Sequence, residues 1–236
     1  ILKEHLSLKK KWGLMLAGVL VLCIRLNSPW EINFLDVGQG DCIHIQSESG
    51  LNYLVDGGSL SVSEVGEYRI LPYLKYKGIR ELEAVFISHA DSDHCNGIPA
   101  LLEECEAGNL KIHTIYLTDS ENQEQSDVYE EIKSIAASLG IRIDYLSAGE
   151  ILRDGEMTFY CLHPATDFMA NGDNENSMVL LAEYRGFRAL LTGDVEGEGE
   201  AQLLFYVQQA DVLSGWLSGG NDGQVFEDQE RAINVS

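Results

Sequence analysis

Positive charge is scarce in this sequence. Sixteen Lys and Arg stand against 38 Asp and Glu, a formal net charge of −22. A protein that grips nucleic acid by neutralising phosphates ordinarily shows a basic face, and sixteen cations cannot build much of one. The acidity fits a metal-attracting surface, or a domain whose basic channel lies on another part of a larger protein. Paired-cysteine chemistry is also lacking. Cysteines 23, 42, 95, 105 and 161 form no C-x-x-C pair and no zinc-finger spacing, so they read mostly as small core residues. Disulfides stay open only if the domain faces an oxidising compartment.

The first apolar run falls short of the ~20 residues that span a bilayer comfortably. Trp12 to Ile24 follows Lys9-Lys10-Lys11 and is uncharged for 13 residues. Arg25 could snorkel, and Leu26 to Trp30 would extend the run to an interfacial Trp. No A-x-A-like cleavage site follows, which argues against a signal peptide. Residues 1–30 therefore read as a basic stretch and a short transmembrane or membrane-proximal helix. Lysines before it and one Arg after it place the following domain on the extracytoplasmic side of the cell membrane. The chain opens on Ile1 rather than Met, which reads as a fragment or a mispredicted start.

Against these absences stands one dense stretch, Ser88-His89-Ala90-Asp91-Ser92-Asp93-His94-Cys95-Asn96-Gly97. Four metal-ligand types fall within six positions: His89, Asp91, Asp93 and His94. They follow Ala84-Val85-Phe86-Ile87, which reads as a short buried strand, so the ligands sit where a strand ends and the chain turns toward a helix. Alternating ligands in such a loop converge on one point, and adjacent Asp93 and His94 diverge enough to reach a second. Imidazole with carboxylate suits Zn²⁺, Mn²⁺ or Fe, and carboxylate content moves preference toward harder ions. Two such ions would activate a water and clamp a phosphoryl or acyl oxygen.

The pattern H-x-D-x-D-H resembles the H-x-H-x-D-H signature of the metallo-β-lactamase superfamily, with Asp91 in place of the second His. Three further segments resemble the ComEC branch of DNA-uptake proteins: Phe34-Leu35-Asp36-Val37-Gly38-Gln39-Gly40-Asp41, Leu54-Val55-Asp56-Gly57-Gly58, and Leu190-Leu191-Thr192-Gly193-Asp194. The resemblance spans roughly residues 32 to 213. It implies an α/β fold, a four-layered αβ/βα sandwich over residues 31–213, and two divalent ions, Zn²⁺ or Mn²⁺. His89 and Asp91 would hold one ion, His94 and Asp93 the other, with Asp194 bridging through its two oxygens. Asp93 and Asp194 would carry the chemistry, and Asp56 would fix the ring and tautomer of a ligand from behind. The superfamily expects one more ligand before Asp194. His163 is a candidate for it, and the loop Asn171 to Ser177 is the alternative. Asp36, Gln39 and Asp41 either line the site or hold the first hairpin. His44 and His113 read as solvent-facing strand residues, and His5 lies outside the domain.

Short strands broken by glycine turns follow Glu31. Expected strands are 32–37, 42–46, 53–55, 84–87, 111–117, 141–146 and 157–161, then a hairpin of 178–183 with 188–191. Expected helices are 70–77 closed by Gly78, 98–105, and 126–139 with Ser126 as N-cap and Gly140 after it. From Ser214 to Ser236 the chain loses apolar periodicity and reads as a divergent, disordered tail. ComEC-like sequences carry H-H-G-S with a last metal ligand there, and no His follows His163 here. The resemblance implies a metal-dependent hydrolase acting on single-stranded DNA beside the membrane and other competence proteins. A non-catalytic module of a DNA channel and a hydrolase of small esters or phosphodiesters are the alternatives.

Overall fold

The computed structural model describes residues 12, 15, 30–118, 127–170, 172–209 and 230–232. Its strands are β1 Glu31–Phe34, β2 Ile43–Gln46, β3 Asn52–Val55, β4 Glu81–Phe86, β5 Lys111–Thr118 and β6 Arg142–Leu146, then β7 Ile151–Asp154, β8 Met157–His163, β9 Val179–Tyr184, β10 Phe187–Leu191 and β11 Glu230–Ala232. Its helices are α1 Leu71–Lys77, α2 Ser92–Cys95, α3 Ile98–Glu106, α4 Asp127–Leu139 and α5 Gly197–Gln209. A π-helical turn, Gly66–Ile70, leads into α1. Helix α1 stops at Gly78, whose φ of 72° and backbone N–H to Leu74 and Lys75 close the last turn.

Strands β1 to β6 form one sheet in sequence order, and the others form a second in the order β10-β9-β8-β7-β11. Three apolar layers separate the elements. Leu54, Val85 and Ile87 meet Leu71 and Leu74 of α1, Leu101 and Leu102 of α3, and Ile132 of α4. The opposite face of that sheet, with Tyr53, Val55, Ala84 and Phe86, meets Phe159, Cys161, Leu180 and Ala182 of the second sheet. Leu162, Val179 and Leu181 on the outer face of the second sheet meet Leu203 of α5. Helices, sheet, sheet and helix are therefore stacked in four layers. Phe159 locks the two sheets, with ring centroids 4.9 Å from Tyr53 and 5.2 Å from Phe86. Such pairs add about 0.5–1.5 kcal/mol beyond their buried area.

Alternation along β2 sends Ile43 and Ile45 into the middle layer, and it sends His44 toward the helices. The expectation that His44 faces solvent is wrong. Its side chain is fully buried, with Nδ1 2.9 Å from the Tyr73 hydroxyl and Nε2 3.1 Å from Asn52 Oδ1. Both faces of the first sheet are covered, so neither side of an inner strand is the wet side. His113 is largely covered as well and pairs with Glu81 at 2.6 Å.

No helix among the described residues is long and apolar enough to cross a membrane. The expected span over 1–30 lies outside the described residues, save Trp12, Met15 and Trp30. So do the Ser126 cap and most of the 214–236 tail. Within that tail Glu230–Ala232 departs from the expected disorder, pairing in parallel with Ile151 to Arg153.

Candidate metal centre

Parallel pairing sets the site. Val55 lies opposite Phe86, so β3 and β4 deliver Asp56 and Ser88 side by side at the carboxyl end of the sheet, where open α/β sheets place their ligands. Met178 donates its backbone N–H to the Ser88 carbonyl at 2.7 Å, tying the second sheet to the same end. Strand β10 finishes there too, which brings Thr192-Gly193-Asp194 over Ser88. A Cβ on Gly193 would lie 2.9 Å from the Ser88 Cβ.

Three loops are knitted by main-chain bonds. Asp41 N–H reaches the Asp93 carbonyl at 3.2 Å, Gly58 N–H the Asp41 carbonyl at 3.1 Å, and Gly57 N–H the His94 carbonyl at 2.8 Å. The glycines permit that closeness. A Cβ on Gly58 would stand 2.3 Å from the Asp93 carbonyl carbon, and one on Gly40 would stand 2.5 Å from the Asp93 oxygen. The D-G-G and G-Q-G-D segments are thus the spacing elements of the metal loop.

Asp56 is the hub of the side-chain network. Its Oδ1 accepts the Ser88 backbone N–H at 2.7 Å, and its Oδ2 accepts the Ser88 hydroxyl at 2.8 Å. That Oδ2 also accepts His94 Nδ1–H at 2.9 Å. Ser88 has one hydroxyl proton and gives it to Asp56, so His89 Nδ1, 3.0 Å from Ser88 Oγ, must be the donor in that contact. One carboxylate therefore fixes two imidazoles with their Nε2 atoms turned away from it. His89 Nε2 is buried without a hydrogen-bond partner. His94 Nε2 faces Asp194 Oδ1 at 3.4 Å. The two rings stand 4.2 Å apart, and ligand atoms of His89, His94 and Asp194 all lie within 4.8 Å of one another.

The electrostatics divide the pair. Burial opposes protonation of His94, but the hydrogen bond and charge of Asp56, with Asp194 and Asp41, outweigh it and raise its pKa to about 9. Burial and the His94 charge hold His89 below its ordinary value. Asp91 lies beside His89, its Oδ2 3.5 Å from Nε2. Asp93 opens α2 and belongs to neither cluster of converging ligand atoms among the described residues, although its charge bears on Asp41. Asp41 joins Asp56 and His94 in the second such cluster.

His163 ends β8 next to Val179. It is fully buried, its Nδ1–H goes to the Ser177 carbonyl at 2.8 Å, and its Nε2 has no partner. That is the tautomer a ligand needs, yet the ring is not brought into the cluster with His89 and His94. In the alternative loop, Asn176 spends its amide on the carbonyls of Ala170 and Gly172 and is structural. Asp173 is the loop's contribution: burial and Asp91 raise its pKa, and His89 draws it down. Ser88 is the residue that sequence reasoning passed over. Ser88 carries a signal in hindsight, as the hydroxyl between a buried strand and the first His.

The donor set fits divalent ions. The buried Nε2 of His89 has no hydrogen-bond partner and lies 3.5 Å from an Asp91 oxygen, while His94 is the counter-charge to Asp56 and Asp194; a divalent ion would supply the further positive charge that these carboxylates can take.

Residues 35–213 match the family model described as Metallo-beta-lactamase superfamily. ComE operon protein 3 of Bacillus subtilis (strain 168) is 30% identical over 221 residues, covering 86% of this chain and 27% of that protein. Recombination protein 2 of Haemophilus influenzae is 28% identical over 204 residues, covering 83% and 23%. Competence protein ComA of Neisseria gonorrhoeae is 28% identical over 169 residues, covering 72% and 20%. This chain thus spans about a quarter of the curated relatives it matches. Among solved structures, the metallo-beta-lactamase fold protein YhfI from Bacillus subtilis aligns with a TM-score of 0.48 at 17% identity, covering 70% of this chain and 63% of that one.

Proposed function

The chain belongs to the metallo-β-lactamase superfamily, and from that membership we propose that it is the metal-dependent hydrolase domain of a ComEC-like DNA-uptake protein, cleaving phosphodiester bonds of single-stranded DNA. The observation that carries this reading is the relay from Asp56 through Ser88, which holds His89 and His94 with Nε2 free beside Asp194. When bound, two divalent ions supply Lewis acidity toward a phosphoryl oxygen. His89, His94, Asp91, Asp93 and Asp194 would hold them, and His163 Nε2 is the reserve donor. The residues themselves do the rest. Asp56 and Ser88 orient the rings, and Asp93, in the same loop, would take up a proton.

The basic-then-apolar order of residues 9–24 supports a place on the extracytoplasmic side of the membrane, and the name Competence protein ComA supports company among other competence proteins. A second reading, a lactamase-like module without turnover, is favoured by Ser214 to Gly223, where the resemblance expects H-H-G-S. One assay separates them. Metal-stripped protein reloaded with Mn²⁺ is given a single-stranded oligonucleotide, the matching duplex, and a simple ester. Faster cleavage of the single strand, lost in His89→Ala, supports the hydrolase. Two bound ions with no turnover on any substrate leave the second reading standing and overturn the first.

A further inference from the structure

Asp41 is the part of the site that the H-x-D-x-D-H pattern does not account for. Its main chain is pinned on both sides, N–H to the Asp93 carbonyl and C=O to Gly58 N–H. The carboxylate is therefore held in place by the backbone and not by contacts of its own. No hydrogen bond or ion pair reaches that carboxylate among the described residues, although it is only partly exposed. What surrounds it is mostly negative: Asp56, Asp194 and Asp93, relieved only by His94. Its oxygen lies within 4.8 Å of ligand atoms of Asp56 and His94. Asp56 is already saturated by Ser88 and His94, so it cannot answer Asp41 with a donor. The buried Nε2 of His89 is likewise without a partner, and it belongs to the neighbouring cluster with His94 and Asp194, which shares His94 with that of Asp41.

A half-covered carboxylate without a donor, among three others, is placed badly for a metal-free protein and well for a cation. Resting on the functional reading above, we propose that Asp41 is a metal ligand beside His94, adding an oxygen donor to a position that takes a hard divalent cation, Mn²⁺ before Zn²⁺. A carboxylate added beside His94 makes a harder donor set than the pattern's two histidines alone. The position at His89, with Asp91 beside it, is the other one. Asp41 thereby fills a place for which the sequence pattern supplies no residue, and the glycines of G-Q-G-D bring it there.

The test is metal stoichiometry and affinity, independent of turnover. The full chain is stripped, titrated with Mn²⁺ by calorimetry, and counted by elemental analysis. The wild type should take two ions. Asp41→Asn, which keeps the shape and removes the charge, should hold one as before and bind the other about tenfold or more weakly. Asp36→Asn, an exposed change in the same run, should bind both as the wild type does. Should Asp41→Asn fold poorly, Asp41→His provides the second arm, since a softer donor should swing that position toward Zn²⁺. Two ions bound by Asp41→Asn with wild-type affinity, or an unmoved Mn²⁺/Zn²⁺ preference in Asp41→His, overturn the role of Asp41 alone. A wild type that binds no divalent ion overturns the functional reading and this inference together.

Discussion

Asp56 sits with φ at 56°, a left-handed backbone that non-glycine residues adopt at a cost, most readily Asn and Asp. The strain sits at the residue whose two oxygens serve three donors, which ties a local irregularity to the site it organises. Asp56→Ala leaves the Ser88 N–H and a buried imidazolium unanswered, and breaking such a pair costs about 3–5 kcal/mol. Asp56→Asn tolerates the backbone and removes the charge, so it should fold and lose metal affinity about 10–100-fold. Denaturant titration with calorimetry separates the two variants; equal stability of Asp56→Ala and wild type would refute the hub. Ser88→Ala removes the hydroxyl that links Asp56 to His89 but leaves the Ser88 N–H and His94 bonds to Asp56, and its metal affinity should fall while the near-native fold, read by circular dichroism, persists. The titrating histidines give a pH signature for the metal-free chain. His94, raised to about 9, contributes stability that is full below 6.5 and fades as pH climbs through 9. His89, held below 6.5, withdraws stability as pH falls beneath that value. The denaturation midpoint should therefore peak near neutrality, and in Asp56→Asn the alkaline decline should flatten.

At the level of elements, the glycine turns are contact surfaces between loops. Gly58→Ala presses a methyl group onto the Asp93–His94 backbone, so it should cost about 1–3 kcal/mol by overpacking and displace the metal loop, weakening metal binding. Gly78→Ala meets open space but demands φ 72°; it should cost about 1–2 kcal/mol and leave metal binding untouched. Calorimetry on both variants checks the contrast. Much of this architecture was legible. Alternating β-branched runs located β2, β3, β5, β8 and the β9–β10 hairpin, and Gly78 and Gly140 marked helix ends. Strand β7 was missed because only Ile151 and Leu152 are apolar before Arg153-Asp154. Helix α5 was missed because Gly197 and Gly199 sit in its first turn while Leu204 and Phe205 point outward, so no apolar stripe stands out. The metal loop was legible because ligands so dense after a buried strand have few other uses. His44 was not, since a single strand's alternation does not say which faces of the sheet are covered. The convergence of His89, His94 and Asp194 needed two sheets to meet, and a separation of about a hundred residues hides that from any local pattern.

For the whole molecule, a net charge of −22 sets a demand that local structure does not meet. Asp56, Asp91, Asp93 and Asp194 gather where β3, β4 and β10 end, and divalent cations would be the natural counter-charge there. Chelation should therefore lower the thermal midpoint, and Mn²⁺ should restore it in proportion to occupancy. The order of Lys9-Lys10-Lys11, the apolar run and Arg25 carries a separate expectation about sidedness. A secretion-dependent reporter fused after Leu213 should be active and a cytoplasm-dependent one silent; the reverse pattern would turn the orientation around. The most direct test of the central claim is anomalous diffraction from crystals of the chain soaked in Mn²⁺. The account predicts strong anomalous peaks bounded by His89 Nε2, His94 Nε2 and Asp194. Full occupancy of Mn²⁺ elsewhere, with these three side chains unbound, would contradict it.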